Sequence, residues 1–221
     1  MQNGLPAQFA PAAGTPRQEN SVGRWLIRCL FALVLLDGIA TFAFSTYSAR
    51  LFSGDEVPAG RMGVIFHTDN DRLREGCLGM AASMLEAGEI DRLLTVGGNR
   101  PRDGRIGAVD LALTLMARGI SDARLTADES SNDTETSVRA ALARPQAADG
   151  IVFMSDCMHL VRVRRQVNAQ AGAKSRHAYL CSHPDRSIVG IWIEAHYELA
   201  SWGVEAMPDD WQRRFVAWMR P

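Results

Sequence analysis

Residues 24–50, RWLIRCLFALVLLDGIATFAFSTYSAR, form one apolar segment near the N-terminus, followed by a polar chain with a strand and helix rhythm. From Trp25 to Tyr47 the run is long enough to cross the roughly 30 Å hydrocarbon core of a bilayer as a helix. An aromatic residue stands at each end, where interfacial belts favour them. Asp37 opposes insertion by roughly 2.5 to 3.5 kcal/mol, a cost that the surrounding leucines, isoleucines and phenylalanines offset together. Arg17, Arg24 and Arg28 precede or open the span, whereas Arg50 and Arg61 beyond it are accompanied by Asp55 and Glu56. That bias places the N-terminus in the cytoplasm and the rest of the chain outside. A cleaved signal peptide is the competing reading. The run exceeds a usual signal core and offers only weak small-residue sites such as Thr41 with Ala43, so a retained anchor is preferred.

The expected layout is a disordered cytoplasmic tail over 1–23, a transmembrane anchor over 24–49, a linker over 50–60 and an α/β domain over 61–221. The tail carries Pro6, Pro11 and Pro16 and lacks any apolar period. Of the 221 residues, about 160 to 170 remain for the domain, enough for one full core and no second catalytic unit. The net charge of -1 sets up no field for nucleic acid, and an arginine-rich, lysine-poor composition does not by itself imply phosphate recognition. Cys29, Cys77, Cys157 and Cys181 show neither C-x-x-C nor metal-ligand spacing, and they leave the redox compartment open.

Arg61 to Thr68 reads as a buried strand and Asp71 to Gly88 as a helix, with Leu73, Cys77, Met80, Ala81, Met84 and Leu85 at helical spacing. The pattern then repeats. Strands are expected over Arg92 to Val96, near Arg124 to Thr126, over Gly150 to Met154 and over His177 to Cys181. Helices are expected over Ile106 to Arg118, Asp133 to Arg144, Met158 to Ala171, Ser187 to Trp202 and, last, Asp209 to Met219. Alternation of short apolar strands with helices implies a parallel sheet covered on both faces. Ligands of such sheets bind beyond the carboxyl ends of the strands, so the loops after Thr68, Val96, Thr126 and Met154 should carry the chemistry.

Gly97 and Gly98 close the second strand and admit a ligand or a neighbouring backbone; a simple turn explains them nearly as well. The third loop, Glu129-Ser130-Ser131-Asn132-Asp133-Thr134-Glu135-Thr136, offers Asn132 with Glu135 as a helix cap, a structural account that leaves several hydroxyl and carboxylate groups unused. After the fourth strand, Ser155-Asp156-Cys157-Met158-His159-Leu160-Val161-Arg162 places His159 and Arg162 on one helical face, as a proton exchanger and an anion grip or as part of a solvated basic helix. His67, Asp69, Asp156 and His159 match no standard metal spacing, so no metal is expected. Dinucleotide, P-loop and α/β-hydrolase signatures do not occur.

In order, these motifs resemble the YdcF, SanA and ElyC family of bacterial envelope proteins, whose members often carry an N-terminal membrane anchor. The resemblance covers about residues 61–200. Ser130, Asn132 and Glu135 match the family's S-x-N-T-x-E-N; Ser155, His159 and Arg162 match its S-x-x-x-H-x-x-R; Arg72 and Leu73 resemble the R-L opening its first helix. Asp133 stands at the usual threonine and Thr136 at the usual asparagine. His67-Thr68-Asp69-Asn70 replaces a glycine-rich turn, and the acid usual after the two glycines is replaced near Gly107.

The resemblance implies a doubly wound, mostly parallel α/β sheet of about five strands in three layers, held outside the inner membrane and serving peptidoglycan or surface-polysaccharide metabolism. The residues suggest hydrolysis or transfer on a phospho-sugar or lipid-linked phosphate. Glu135 and His159 would then be catalytic, and Arg72, Gly97, Gly98, Ser130, Asn132, Ser155 and Arg162 would bind the anionic ligand. These groups should converge because the third and fourth strands are expected to be neighbours. The alternative is a non-catalytic regulator that binds a polysaccharide precursor or a membrane partner. No cofactor is assigned; an adenosine cofactor, also suggested by the resemblance, is disfavoured by the outward topology.

Overall fold

The computed structural model describes residues 21–52, 61–100, 104–171, 176–182 and 187–205, together with 207, 208, 210, 211 and 214. Most of the expected tail and linker and of the expected helix over Asp209 to Met219 lies outside the described residues. The chain divides into units Met1–Asp37 and Gly38–Pro221, with the boundary inside helix α1 (Ser21–Leu51). Within α1, Trp25–Leu51 is long and apolar enough to cross a membrane. The helix runs past the expected end of the anchor, and Leu51 and Phe52 join the core of the following domain.

The domain alternates strand and helix. In order come β1 (Arg61–Phe66), α2 (Asp71–Ala87), β2 (Ile90–Val96), β3 (Asn99–Arg100), β4 (Arg105–Ile106), α3 (Gly107–Ala117), β5 (Leu125–Ala127), α4 (Thr134–Leu142), β6 (Ile151–Asp156), α5 (Cys157–Ala171), β7 (Ala178–Ser182) and α6 (Ile188–Glu205). Five of these strands form one parallel sheet in the order β5-β2-β1-β6-β7. Strands β3 and β4 pair antiparallel in a small ladder just beyond the double glycine, an element absent from the sequence expectation.

Alternate strand residues point to opposite faces, and both faces are covered, so the strands read as continuous apolar runs. Val64 and Phe66 of β1, with Phe153 of β6, meet Val138 of α4 and Leu160 and Val163 of α5. Ile65, Val152 and Met154 turn the other way, toward Cys77, Leu78, Ala81 and Leu85 of α2 and Leu111 and Leu115 of α3. The chain therefore winds outward from β1 through β2 to β5 on one face, then returns across the sheet on the other face to β6. This is the doubly wound α/β arrangement. Its direction reverses between β1 and β6, where the crevice that such sheets use for ligands opens at the strand ends.

The order corrects one expectation. Strands β5 and β6, which bear the third-loop and fourth-strand motifs, are separated by β2 and β1. The motifs meet through helices instead, because α4 crosses back and packs against α5.

Cys157 at the start of α5 and Cys181 in β7 form a disulfide, while Cys29 and Cys77 stand outside any disulfide. The bridge spans a sequence separation of 24, and closing such a loop in the unfolded chain is worth roughly 3 to 4 kcal/mol in the chain-entropy account. In non-reduced, denatured protein only Cys29 and Cys77 should react with maleimide, and reduction should lower the unfolding midpoint. Peptide mass spectrometry checks the pairing; four reactive thiols would refute it.

Candidate functional site

The crevice is built first by the turn from β6 into α5. Asp156 Oδ1 accepts from the backbone N–H groups of Met158 (2.9 Å) and His159 (3.0 Å), fixing the first turn of the helix. Spacing of four residues then brings the His159 ring back over Ser155, with Nδ1 2.8 Å from Ser155 Oγ. Across the helix interface, Thr134 at the start of α4 places Oγ1 3.2 Å from His159 Nε2. Phe66 closes a third side, its ring edge-on to the imidazole at 4.9 Å between centroids. Burial, reinforced by the Arg162 guanidinium, holds the His159 pKa well below its ordinary value, so the ring is neutral at pH 7. A neutral imidazole donates through one nitrogen and accepts through the other. One of the two buried hydroxyls therefore points its proton at His159.

Arg162 lies one turn beyond His159, but it faces Glu198 of α6. Its Nε is 3.3 Å from Glu198 Oε2 and its terminal nitrogen 3.4 Å from Oε1, with side-chain exposures of 11% and 6%. Any anion that uses Arg162 must compete with this carboxylate. Removing one partner of such a buried pair leaves the other charge uncompensated, at a cost of about 3 to 5 kcal/mol.

The third loop is organised around Asp128, which the sequence reading did not single out. Its Oδ1 accepts from Ser130 N–H (3.1 Å) and Ser130 Oγ (2.6 Å). Burial pushes this carboxyl up, yet hydrogen bonds from Ser130 and Ser131 outweigh burial and hold it below the usual carboxylate value. Asn99 ties the loop down from β3: its Nδ2 donates to Asp128 O at 2.7 Å, and its Oδ1 accepts from Ala108 N–H at 3.3 Å, capping α3 from outside the helix. The cap of α4 falls one residue later than expected. Asp133, not Asn132, accepts from Thr136 N–H at 2.7 Å, and Thr136 Oγ1 returns the bond. Glu135 is thereby exposed and paired with Arg139, and Asn132 is also exposed.

On the other side of the crevice, the His67 ring lies against Gly98 and Gly107. A Cβ on Gly107 would sit 2.8 Å from ring carbons, and one on Gly98 would also collide with the ring. Gly98 has φ +68°, a conformation that further favours glycine. The histidine at the end of β1 and the glycine at position 107 are thus two halves of one packing solution. Arg105 donates to His67 Nε2 at 3.3 Å, which leaves the ring proton on Nδ1. Burial, then Arg105, lowers the His67 pKa. Asp69 bridges Arg100 at 2.6 Å and Arg105 at 2.9 Å. Burial acts to raise its pKa, but the attraction of these arginines overcomes that effect and keeps Asp69 ionised.

Of the expected site residues, Ser155 and His159 come together, joined by Thr134, and Gly97 and Gly98 border the same strand ends. Ser130 is engaged with Asp128. Arg72 is exposed in the first turn of α2, where its backbone N–H donates to the Asn70 cap at 3.1 Å. Among the described residues, no group of three or more His, Cys, Asp or Glu is placed to hold a metal ion. An open depression of about 500 Å³, lined by Leu142, Arg144, Pro145, Gln170 and His177 among others, lies at the opposite end of the sheet. There His177 Nδ1 accepts from Ile151 N–H at 3.1 Å, a structural use of that ring.

Two predictions follow from this packing and charge. Gly107→Ala should destabilise the domain by about 1 to 3 kcal/mol through overpacking against His67. Adding His67→Ala should recover much of that loss, and a double-mutant cycle by equilibrium unfolding reads the coupling. The second concerns acid. His67, His159 and His177 all titrate below the ordinary value in the fold, the last through burial alone. The unfolded chain then binds more protons below about pH 6.5, so this stability is complete above that pH and is lost as pH falls toward the folded values. The loss per histidine is at most about 1.4 kcal/mol per pH unit. His159→Gln should make the pH dependence of unfolding shallower; an unchanged slope would mean that His159 is not held neutral.

No protein-family model and no curated protein matches the chain.

Proposed function

We propose that the chain is a membrane-anchored envelope protein, similar to the YdcF, SanA and ElyC family, whose α/β domain acts outside the inner membrane on a phosphate-bearing saccharide or lipid-linked phosphate. The observation that carries this reading is His159, neutral and half-buried at the reversal of the sheet, with a hydroxyl at each ring nitrogen. A neutral imidazole takes a proton from a hydroxyl under attack conditions near neutral pH. A substrate hydroxyl or a water that replaces Thr134 at Nε2 loses its proton to His159 as its oxygen bonds to phosphorus, and the leaving oxygen departs with that proton.

Anion recognition falls to Arg100 and Arg105. They already hold a carboxylate between them, and a phosphate has the charge and span to take the place of Asp69. Phe66 touches His159 and the next residue, His67, touches Arg105, so the two groups stand at the same end of β1 on opposite faces of the sheet. Arg162 contributes only if Glu198 is released. Glu135, paired with Arg139 at the surface, is better placed to meet a ligand hydroxyl than to exchange the proton. The arginines ahead of the span support an outward-facing domain, and so does a disulfide, which persists in oxidising compartments.

A second reading, a binding or regulatory protein without turnover, is favoured by the pairing of Arg100, Arg105 and Arg162 to internal carboxylates. Turnover separates the two. Full-length protein in detergent, assayed on a panel of sugar phosphates and lipid-linked phosphates, should release phosphate or transfer a glycosyl phosphate. His159→Gln should lower that rate by about a hundred- to ten-thousand-fold while the disulfide and circular dichroism are unchanged. No turnover in the wild type, with full complementation of a deletion strain by His159→Gln, would leave the binding role standing.

A further inference from the structure

Helix α6 is turned inside out. On a helical projection its inward arc carries Glu194 and Glu198, together with Ala195 and the half-buried Ile191 and Trp202. Glu194 accepts from Asn70 Nδ2 at 2.9 Å and Glu198 holds Arg162, so the carboxylates face the domain. The outward arc is apolar. Ile188 is 86% exposed and Ile193 55%, and Val189, Trp192, Tyr197 and Leu199 lie exposed beside them. Among the described side chains of α6, this arc carries no Asp, Glu, Lys or Arg. Its histidine, His196, has its ring 4.2 Å from that of Trp192 and donates from Nδ1 to Trp192 O at 2.8 Å. A soluble helix presents the reverse pattern, and a contiguous apolar surface of this kind marks a place of contact.

The position of α6 identifies what it contacts. Trp202, near its C-terminal end, packs edge-on against Phe44 of α1 at 5.8 Å between centroids. Thr41 and Ser48, three residues before and four after Phe44 in α1, are buried. About 20 helical residues cross the hydrocarbon core, and counted from Trp25 that length ends at Phe44. The Phe44 contact thus sets the end of α6 at the level where hydrocarbon gives way to headgroups. Tryptophan and tyrosine on the outward arc are the side chains that favour this level.

We propose that α6 is a second membrane contact, an interfacial helix whose arc over Ile188, Val189, Trp192, Ile193, Tyr197 and Leu199 lies in the lipid surface. The pairs Glu194 with Asn70 and Glu198 with Arg162 hold that arc outward, and the domain rests on the bilayer through it. Its crevice then opens close to the headgroups, as a lipid-linked substrate requires. The proposal rests on α1 spanning the membrane and deepens the envelope reading by placing the domain on the lipid.

The test uses the full chain in vesicles of phosphatidylethanolamine and phosphatidylglycerol, with Cys29→Ser and Cys77→Ala in the background. A polarity-sensitive fluorophore is attached at Ile193→Cys, at Val189→Cys as a second reporter, at Leu33→Cys in the span and at Asp122→Cys on an exposed turn of the domain. The labels at 193 and 189 should be quenched by lipids with a spin label on the acyl chain, as at 33, and should resist aqueous iodide several-fold better than at 122. If 33 meets lipid while 193 and 189 are quenched by iodide like 122, the helix faces water and the proposal fails with the span intact. If 33 itself is open to iodide, the membrane reading fails first. Shielding of 193 and 189 from both quenchers would mean that protein, from a second copy or from the chain beyond residue 205, covers the face, and would also overturn the proposal.

Discussion

All pairs in the main sheet are parallel, and parallel neighbours cannot be joined by a tight turn. Each strand must be reached by a helix that crosses the sheet, and with right-handed crossovers the second half of the chain covers the face that the first half left bare. The return from β5 at one edge to β6 beyond β1 is the crossing that matters. It lays α4 against α5 and sets Thr134 beside His159, although β5 and β6 share no hydrogen bonds. The crevice is a consequence of burying both faces of one sheet.

Charge in this domain is satisfied internally. Asn70, Asp133 and Asp156 cap α2, α4 and α5, while Asn99 reaches the first turn of α3 from β3. Asp69 lies between two arginines, and Glu198 meets Arg162. A buried pair adds little net stability but is costly to break, so its effect is directional: it fixes which side of a helix faces the domain. Glu198 does this for α6, Glu194 adds a hydrogen bond to Asn70 on the same side, and the apolar arc is outward because the carboxylates are held inward. A ligand anion would enter this balance by exchange with a carboxylate, which makes recognition depend on charge and shape together.

Much of the architecture was legible in the chain. Apolar strand runs, helical spacing such as Leu73, Cys77, Ala81 and Met84, and the terminating Gly88 located most elements to within one or two residues. The cap of α4 was not, because Asn132 with Glu135 and Asp133 with Thr136 have the same spacing and both first residues accept backbone hydrogen bonds. A shift of one position turns a helical side chain by about 100°, enough to send Glu135 to the surface. His67 and Gly107 were each noted as departures, but their relation is a contact across about 40 residues that spacing alone does not reveal.

Local pattern by itself determined the apolar segment long enough to span a bilayer, the alternation of strand and helix, and the edge of the sheet where polar loops gather. These follow from hydrophobic period and turn chemistry, which act over a few residues. Only the tertiary structure decided the strand order, the meeting of Thr134 with His159, the pairing of Cys157 with Cys181, the engagement of Arg162 by Glu198 and the outward face of α6. Each joins groups distant in sequence whose pairing depends on how crossovers stack helices on the sheet. A residue's type states which bonds it can make; packing states which partner lies within about 3 Å to make them.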